Sequence, residues 1–245
     1  MILRYLAVLD EAPLAFVILI AAFGASLLVG LVLHEVAHAY VADSLGDRTP
    51  RSFGRLSLNP KRHLDPLGSA LIFFAGFGWA RPVPVNPFNT SGNVKLNMAT
   101  IAVAGPATNL VVAAIAGLPI KLGWVPFFHP FVAPSLAEVA VGVWTDSPEN
   151  MVGLFLGTIV LLNVILAIFN LVPLAPLDGF RVVAGLLPRQ IGVHFAKLEP
   201  WCPGILLLLI FLPFLGGPPW LFEVMGPPRD FLLELFAGDT LVRLV

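Results

Sequence analysis

Cysteine is almost missing from this chain, Cys202 being the only one. That excludes an intramolecular disulfide and any zinc site built from several thiolates. Charge is scarce as well: Asp, Glu, Lys and Arg make up 12% of the residues, against about 25% in soluble domains. The formal net charge of −1 leaves no electrostatic case for nucleic acid as a partner. Lys and Arg are wholly absent between Gly123 and Asn150, where Glu138, Asp146 and Glu149 stand. Long polar stretches are lacking too. No connector has room for an appended soluble domain of about 50 residues, so a single membrane domain over residues 1–245 is expected, with its core at about 14–180.

What the chain does have is apolar length. Hydrophobic residues account for 58% of it, and four uncharged runs approach the roughly 20 residues needed to cross a bilayer: Leu14–Leu33, Met98–Ile120, Met151–Leu177 and Gly204–Phe222. A shorter run, Leu67–Ala80, reads as a re-entrant or tilted segment. The expected architecture is therefore an all-α polytopic membrane protein, with the lipid bilayer as its surroundings. No cleavable leader is expected, because the first apolar run ends in the motif described next.

Basic residues concentrate on the cytoplasmic side of membrane proteins. Arg48, Arg51, Arg55, Lys61 and Arg62 lie between Gly46 and Pro66, and Arg181, Arg189 and Lys197 follow the third run. This pattern puts both segments inside, in a plasma membrane, and the Gly123–Asn150 loop outside. The Leu67–Asn97 stretch must then begin and end inside. Pro82, Pro84 and Pro87 suit an irregular hairpin or strand there, at the cytoplasmic face. His38 and Asp178 come to the same depth.

His34-Glu35-Val36-Ala37-His38 spells H-E-x-x-H. On a helix, histidines at i and i+4 share a face and can converge on one ion, with the glutamate beside them as a base. Ionisable groups at such depth are functional-site candidates. A catalytic zinc takes three protein ligands and leaves a position open. Asp178, in Asn170-Leu-Val-Pro173-Leu-Ala-Pro176-Leu-Asp178-Gly179, is the best candidate for the third, since two prolines and a glycine break the helix beside it. Isolated histidines read as structural: His129 and His194 have no partner at ligand spacing, and His63 beside Asp65 suggests a loop contact. Asn109, in Gly105-Pro106-Ala107-Thr108-Asn109, is a donor at buried depth; it could bind an oxyanion or hold helices together. Asn170 has the same two readings, and Asn163 has less to recommend it.

With these motifs in family order, the chain resembles the site-2 protease family of intramembrane zinc metalloproteases. The resemblance runs through His34–His38, Gly46-Asp47, Gly54–Pro60, His63–Gly68, Trp79–Pro87, Gly105–Asn109 and Asn170–Gly179, which is most of residues 30–185. It implies a three-helix catalytic core plus additional span(s), and one Zn2+ held by His34, His38 and Asp178. It also implies Glu35 as the catalytic carboxylate, and Asn109 and Asn170 assisting the substrate carbonyl or the tetrahedral intermediate. The implied activity is hydrolysis of peptide bonds in or near the transmembrane helix of a single-span membrane protein. Phe180 departs from the family, whose members often carry glycine there. Two other classes compete: an ion or proton transporter, and a catalytically silent membrane binding protein. Against transport, there is no internal repeat, and transport has no use for a base set between two ligands. Against silence, Glu35 and all three ligands are intact.

Overall fold

The structure is a computed structural model that describes residues 13–75, 78–132 and 136–238. Helix α1 (Pro13–Ser44) carries the first apolar run and H-E-x-x-H on one continuous element. It stops where Gly46 takes φ +106°, a conformation that only glycine adopts cheaply. Gly46 N–H donates to the Asp43 carbonyl and Asp47 N–H to that of Ala42, the paired bonds of a glycine-terminated helix end. Single helical turns follow at Thr49–Ser52 and Pro60–Arg62. Helix α2 (Pro66–Ala75) comes next, with the Asp65 carboxylate accepting from Gly68 N–H at its start.

Helix α3 (Val94–Lys121) is the second long apolar element. Asn93 caps it, its side chain accepting from Lys95 and Leu96 N–H, which satisfies donors that the helix start leaves unpaired. Helix α4 (Ala137–Thr145) is short. Helix α5 (Pro148–Asn170) begins with Ser147 as cap, Pro148 in the first turn and Glu149 behind it, a strong start signal in sequence. Helices α6 (Asp178–Leu186) and α7 (Arg189–Ala196) follow. The chain then forms α8 (Cys202–Phe211), a short 3-10 turn and α9 (Trp220–Ala237).

The core is the mutual packing of α1, α3 and α5, with α6 against α3 and α9 against α3 and α5. This is the expected three-helix core. These three helices are long and apolar enough to cross a membrane, and they turn large apolar side chains such as Val17, Val111, Ile115 and Val152 outward. At one end Trp144, Phe128, Val132 and Leu154 pack against Ala15 and Leu19. Among the described residues there is no strand, only one isolated antiparallel bridge between Leu64 and Ala80.

The uncharged run Met151–Leu177 divides as its prolines predict: α5 ends at Asn170, and Asp178 opens α6. Pro173 and Pro176 have no N–H to continue the ladder. Gly204–Phe222, by contrast, is not the one straight span expected. Helix α8 with its 3-10 turn meets α9 at 98°, across Gly216 at φ +82° and the Gly217-Pro218-Pro219 sequence. In Leu67–Ala80, residues 67–75 are helical, while 76 and 77, like 239–245 at the C-terminus, lie outside the described residues.

Candidate metal centre

Helix α1 presents His34 and His38 one turn apart, their ring centroids 4.6 Å apart and nearly perpendicular. The break after α5 brings in Asp178. Its Oδ2 lies 3.1 Å from Nε2 of His34 and 3.2 Å from Nε2 of His38, so both imidazoles aim the same nitrogen at one carboxylate oxygen. The three ligand atoms all lie within 4.8 Å of one another. Residues 144 positions apart in sequence thus form the cluster expected from the motif and the broken helix.

The donor set suits zinc, for which two histidines and a carboxylate are a common catalytic trio. Two further features fit a metal. First, both Nδ1 atoms are engaged away from the cluster. His38 Nδ1 donates to the Ile101 carbonyl at 2.6 Å, and His34 Nδ1 lies 2.7 Å from Oδ1 of Asn109. An oxygen at Nδ1 leaves the Nε2 lone pair for an ion. Secondly, Gly105 of α3 faces the two Nε2 atoms so closely that a Cβ there would stand 2.5 Å from each. The space beside the two imidazoles exists because that residue has no side chain.

Glu35 is buried next to the histidines and feels the charges of His34, His38, Asp178 and Arg55. Asn109 is brought to the cluster through His34, and its Nδ2 donates to Asn163 Oδ1 at 3.0 Å. Asn170 donates back to the Leu166 carbonyl, one turn earlier in its own helix. His63 is fully buried, its Nε2 2.6 Å from the Ser57 carbonyl. Burial holds its pKa below the ordinary value, with Arg55 and Arg62 adding to the effect. His129 accepts from Phe131 N–H, and His194 donates to the Gln190 carbonyl. Phe180 stacks on Phe195 with centroids 4.6 Å apart and packs with Ala175 and Cys202.

Two residues next to the site rank low or have no site role in sequence. Asn163 is fully buried against Asn109. Arg55, almost fully buried, donates to the carbonyls of Arg62, Arg81 and Pro82 at 2.7, 3.0 and 3.1 Å. It ties the basic loop to the proline-rich segment. In sequence Arg55 stands only as one of the basic residues of that loop, within the Gly54–Pro60 stretch of the resemblance.

Residues 22–210 match the family described as Peptidase family M50. Among curated relatives, the Bacillus subtilis protein named "Putative zinc metalloprotease YwhC" is 37% identical over 213 residues, covering 87% of this chain and 90% of the relative. The Mycobacterium tuberculosis protein named "Putative zinc metalloprotease Rip2" is 28% identical over 249 residues, covering 98% of this chain and 87% of its own length. No solved structure matches the chain.

Proposed function

The chain belongs to peptidase family M50, the site-2 type of intramembrane zinc metalloprotease, and from that premise we propose how its residues do the work. His34, His38 and Asp178 hold the catalytic Zn2+. The observation that carries this is the convergence of both Nε2 atoms on Asp178 Oδ2, with Gly105 keeping space open beside the two imidazoles. When bound, zinc supplies a Lewis acid that polarises the scissile carbonyl and makes water acidic enough to ionise near neutral pH.

Glu35 takes the proton from the attacking water at its carboxylate and returns it to the leaving amine nitrogen. Its place between two ligands at i and i+4 keeps it within reach of both positions. Asn109 holds His34 in the orientation that offers Nε2. Asn170, at the unwound end of α5, is free to turn towards a substrate carbonyl once its bond within the helix is exchanged.

The substrate is a single-span membrane protein whose helix unwinds locally, because a helical backbone keeps its carbonyls bonded internally. The segment 82–87, held by Arg55, offers an edge on which such an extended strand pairs. The protein is multi-pass; we place it in the plasma membrane as one domain, with the site nearer the cytoplasmic face and the Leu67–Ala80 segment dipping in from that side.

The test compares zinc content and cleavage of a single-span substrate in the parent, Glu35→Gln and Asp178→Ala. Glu35→Gln is expected to keep stoichiometric zinc and lose about 10²-fold or more in rate, the typical share of a general base. Asp178→Ala is expected to lose zinc. Parental cleavage by Glu35→Gln, or unchanged zinc in Asp178→Ala, removes that residue from the mechanism.

A further inference from the structure

Ser26 of α1, Asn109 of α3 and Asn163 of α5 are uncharged polar side chains buried against one another in an otherwise apolar contact. Buried amides are costly unless their hydrogen bonds are met, and the way these are met runs in one direction. The carbonyl of Ile159 can only accept, so the group of Asn163 lying 2.9 Å from it is Nδ2. The same Nδ2 faces Ser26 Oγ at 3.4 Å. Oδ1 of Asn163 is thereby turned to Asn109 and accepts from its Nδ2 at 3.0 Å. The Gly30 carbonyl, 3.4 Å away, is a second acceptor for that Nδ2. Asn109 is left with Oδ1 towards His34 Nδ1, 2.7 Å away. An amide oxygen only accepts, so His34 carries its proton on Nδ1 and its lone pair on Nε2.

We infer that Asn163 is a positioning residue of the metal centre, locking the Asn109 amide in the one orientation that makes His34 a ligand through Nε2. The inference rests on the reading of His34 as a zinc ligand. The two histidines meet the same requirement by different routes. His38 is fixed directly by a backbone carbonyl, that of Ile101. His34 is fixed by a carbonyl too, that of Ile159, but through two amides in series. Without Asn163 only the longer bond to the Gly30 carbonyl, at 3.4 Å, holds Asn109 Nδ2. The amide then turns over more readily to present Nδ2 to His34, which favours the tautomer whose Nε2 bears hydrogen and cannot bind an ion.

Gly30 completes the arrangement on α1. A Cβ there would stand 2.7 Å from Oδ1 of Asn163 and 3.3 Å from Nδ2 of Asn109. The amide pair sits where it does because residue 30 has no side chain. Gly30 therefore offers a way to disturb the pair while leaving every polar group in place. A residue that merely glues helices together would add stability and leave the ligand's tautomer untouched, and that difference can be measured.

The experiment uses the full chain in detergent: parent, Asn163→Val, Gly30→Ala, Thr158→Val and His34→Ala. Zinc affinity is read by chelator competition, site geometry by the visible bands of the Co2+-loaded protein, and stability by thermal melting without metal. Thr158 is the control, a fully buried hydroxyl on the same helix bonded to the Leu154 carbonyl at 2.7 Å. Asn163→Val and Gly30→Ala are expected to weaken zinc binding ~10- to 100-fold, the usual loss when a ligand's supporting bond is removed, and to shift the Co2+ bands. Thr158→Val is expected to lower stability and leave both metal readouts alone. If Asn163→Val fails to fold, Gly30→Ala, a helix-favouring change, decides alone. Parental affinity and spectrum in that variant overturn the inference while the ligand reading stands, provided His34→Ala loses zinc. Parental zinc binding by His34→Ala overturns the ligand reading itself.

Discussion

A methyl group at residue 105 would stand 2.5 Å from Nε2 of His34 and of His38 and 2.6 Å from Cε1 of His34, so the approach of α3 to the ligand pair depends on a glycine. In most helices Gly→Ala is favourable by about 1 kcal/mol, and Gly105→Ala lies within a helix. The variant is therefore expected to fold as well as the parent yet bind zinc at least ~10-fold more weakly, because the rings must swing away from the new Cβ. Chelator competition beside a thermal melt separates the two effects; unchanged zinc affinity would show that the rings have room to spare. The residues of the cluster were legible at this scale for a geometric reason. His34, Glu35 and His38 have their mutual placement set by the helix itself, and Asp178 is marked by prolines that must break one. Asn163 is visible in sequence but ranks below Asn109 and Asn170. An amide within an apolar helix has the same sequence signature whether it faces lipid or a partner, and only the rotation of α5 about its axis, set by packing against Gly30, decides which.

At the scale of elements, the site depends on how the segments outside the long helices are held. Asp47, fully buried just past the end of α1, accepts from Thr49 through both its N–H and its hydroxyl. It also accepts from Asn86 N–H and the Asn89 amide. One carboxylate thereby binds the exit of the H-E-x-x-H helix to the far end of the proline-rich segment, while Arg55 holds the near end at Arg81 and Pro82. Burial alone would push the Asp47 carboxyl up, but these four donors outweigh it and hold its pKa below the ordinary carboxylate value. Because the folded-state pKa is depressed, this stabilisation is present in full above an unfolded value near ~3.9 and is lost as pH falls through the folded one. Asp47→Asn puts an N–H2 among donors and is expected to cost about 1–3 kcal/mol. The deficit should be constant from pH 7 to pH 5 and shrink below pH ~4, where the parent loses its own carboxylate. Limited proteolysis of the loops on either side of Asp47 across that range measures it, and a deficit that grows in acid would contradict this account. Sequence showed Asp47 as part of the Gly46-Asp47 pair of the resemblance but not what it binds, because its donors come from positions as far as 42 residues away.

For the whole molecule, the number of spans and their direction must agree with where charge lies along the chain. Composition and run length made the three long helices legible, but not where the last apolar region bends. Gly204–Phe222 has the hydropathy of a span, and hydropathy is blind to the 98° angle that its glycine and proline cluster introduces. With α1, α3 and α5 as crossings, the basic residues 48–62 and Arg181–Lys197 fall on one side and the Gly123–Asn150 loop on the other, as the bias in Lys and Arg requires. This arrangement holds only if α2 and residues 78–93 return to the side they left, so a single labelling experiment tests both orientation and return. Cys202 is buried and can be replaced by alanine to give a background without thiols. Lys61→Cys, Asp146→Cys and Lys197→Cys then place one exposed thiol in each segment. In intact cells a membrane-impermeant maleimide is expected to modify Asp146→Cys alone, with the other two labelled only after permeabilisation. Labelling of Lys61→Cys and Asp146→Cys from the same side would mean that α3 does not cross. Labelling of Lys61→Cys and Lys197→Cys from opposite sides would mean that an odd number of crossings separates them. Either result would undo the proposed orientation of the His38–Asp178 cluster towards the cytoplasmic side, whereas the expected pattern would support water reaching the cluster from that face.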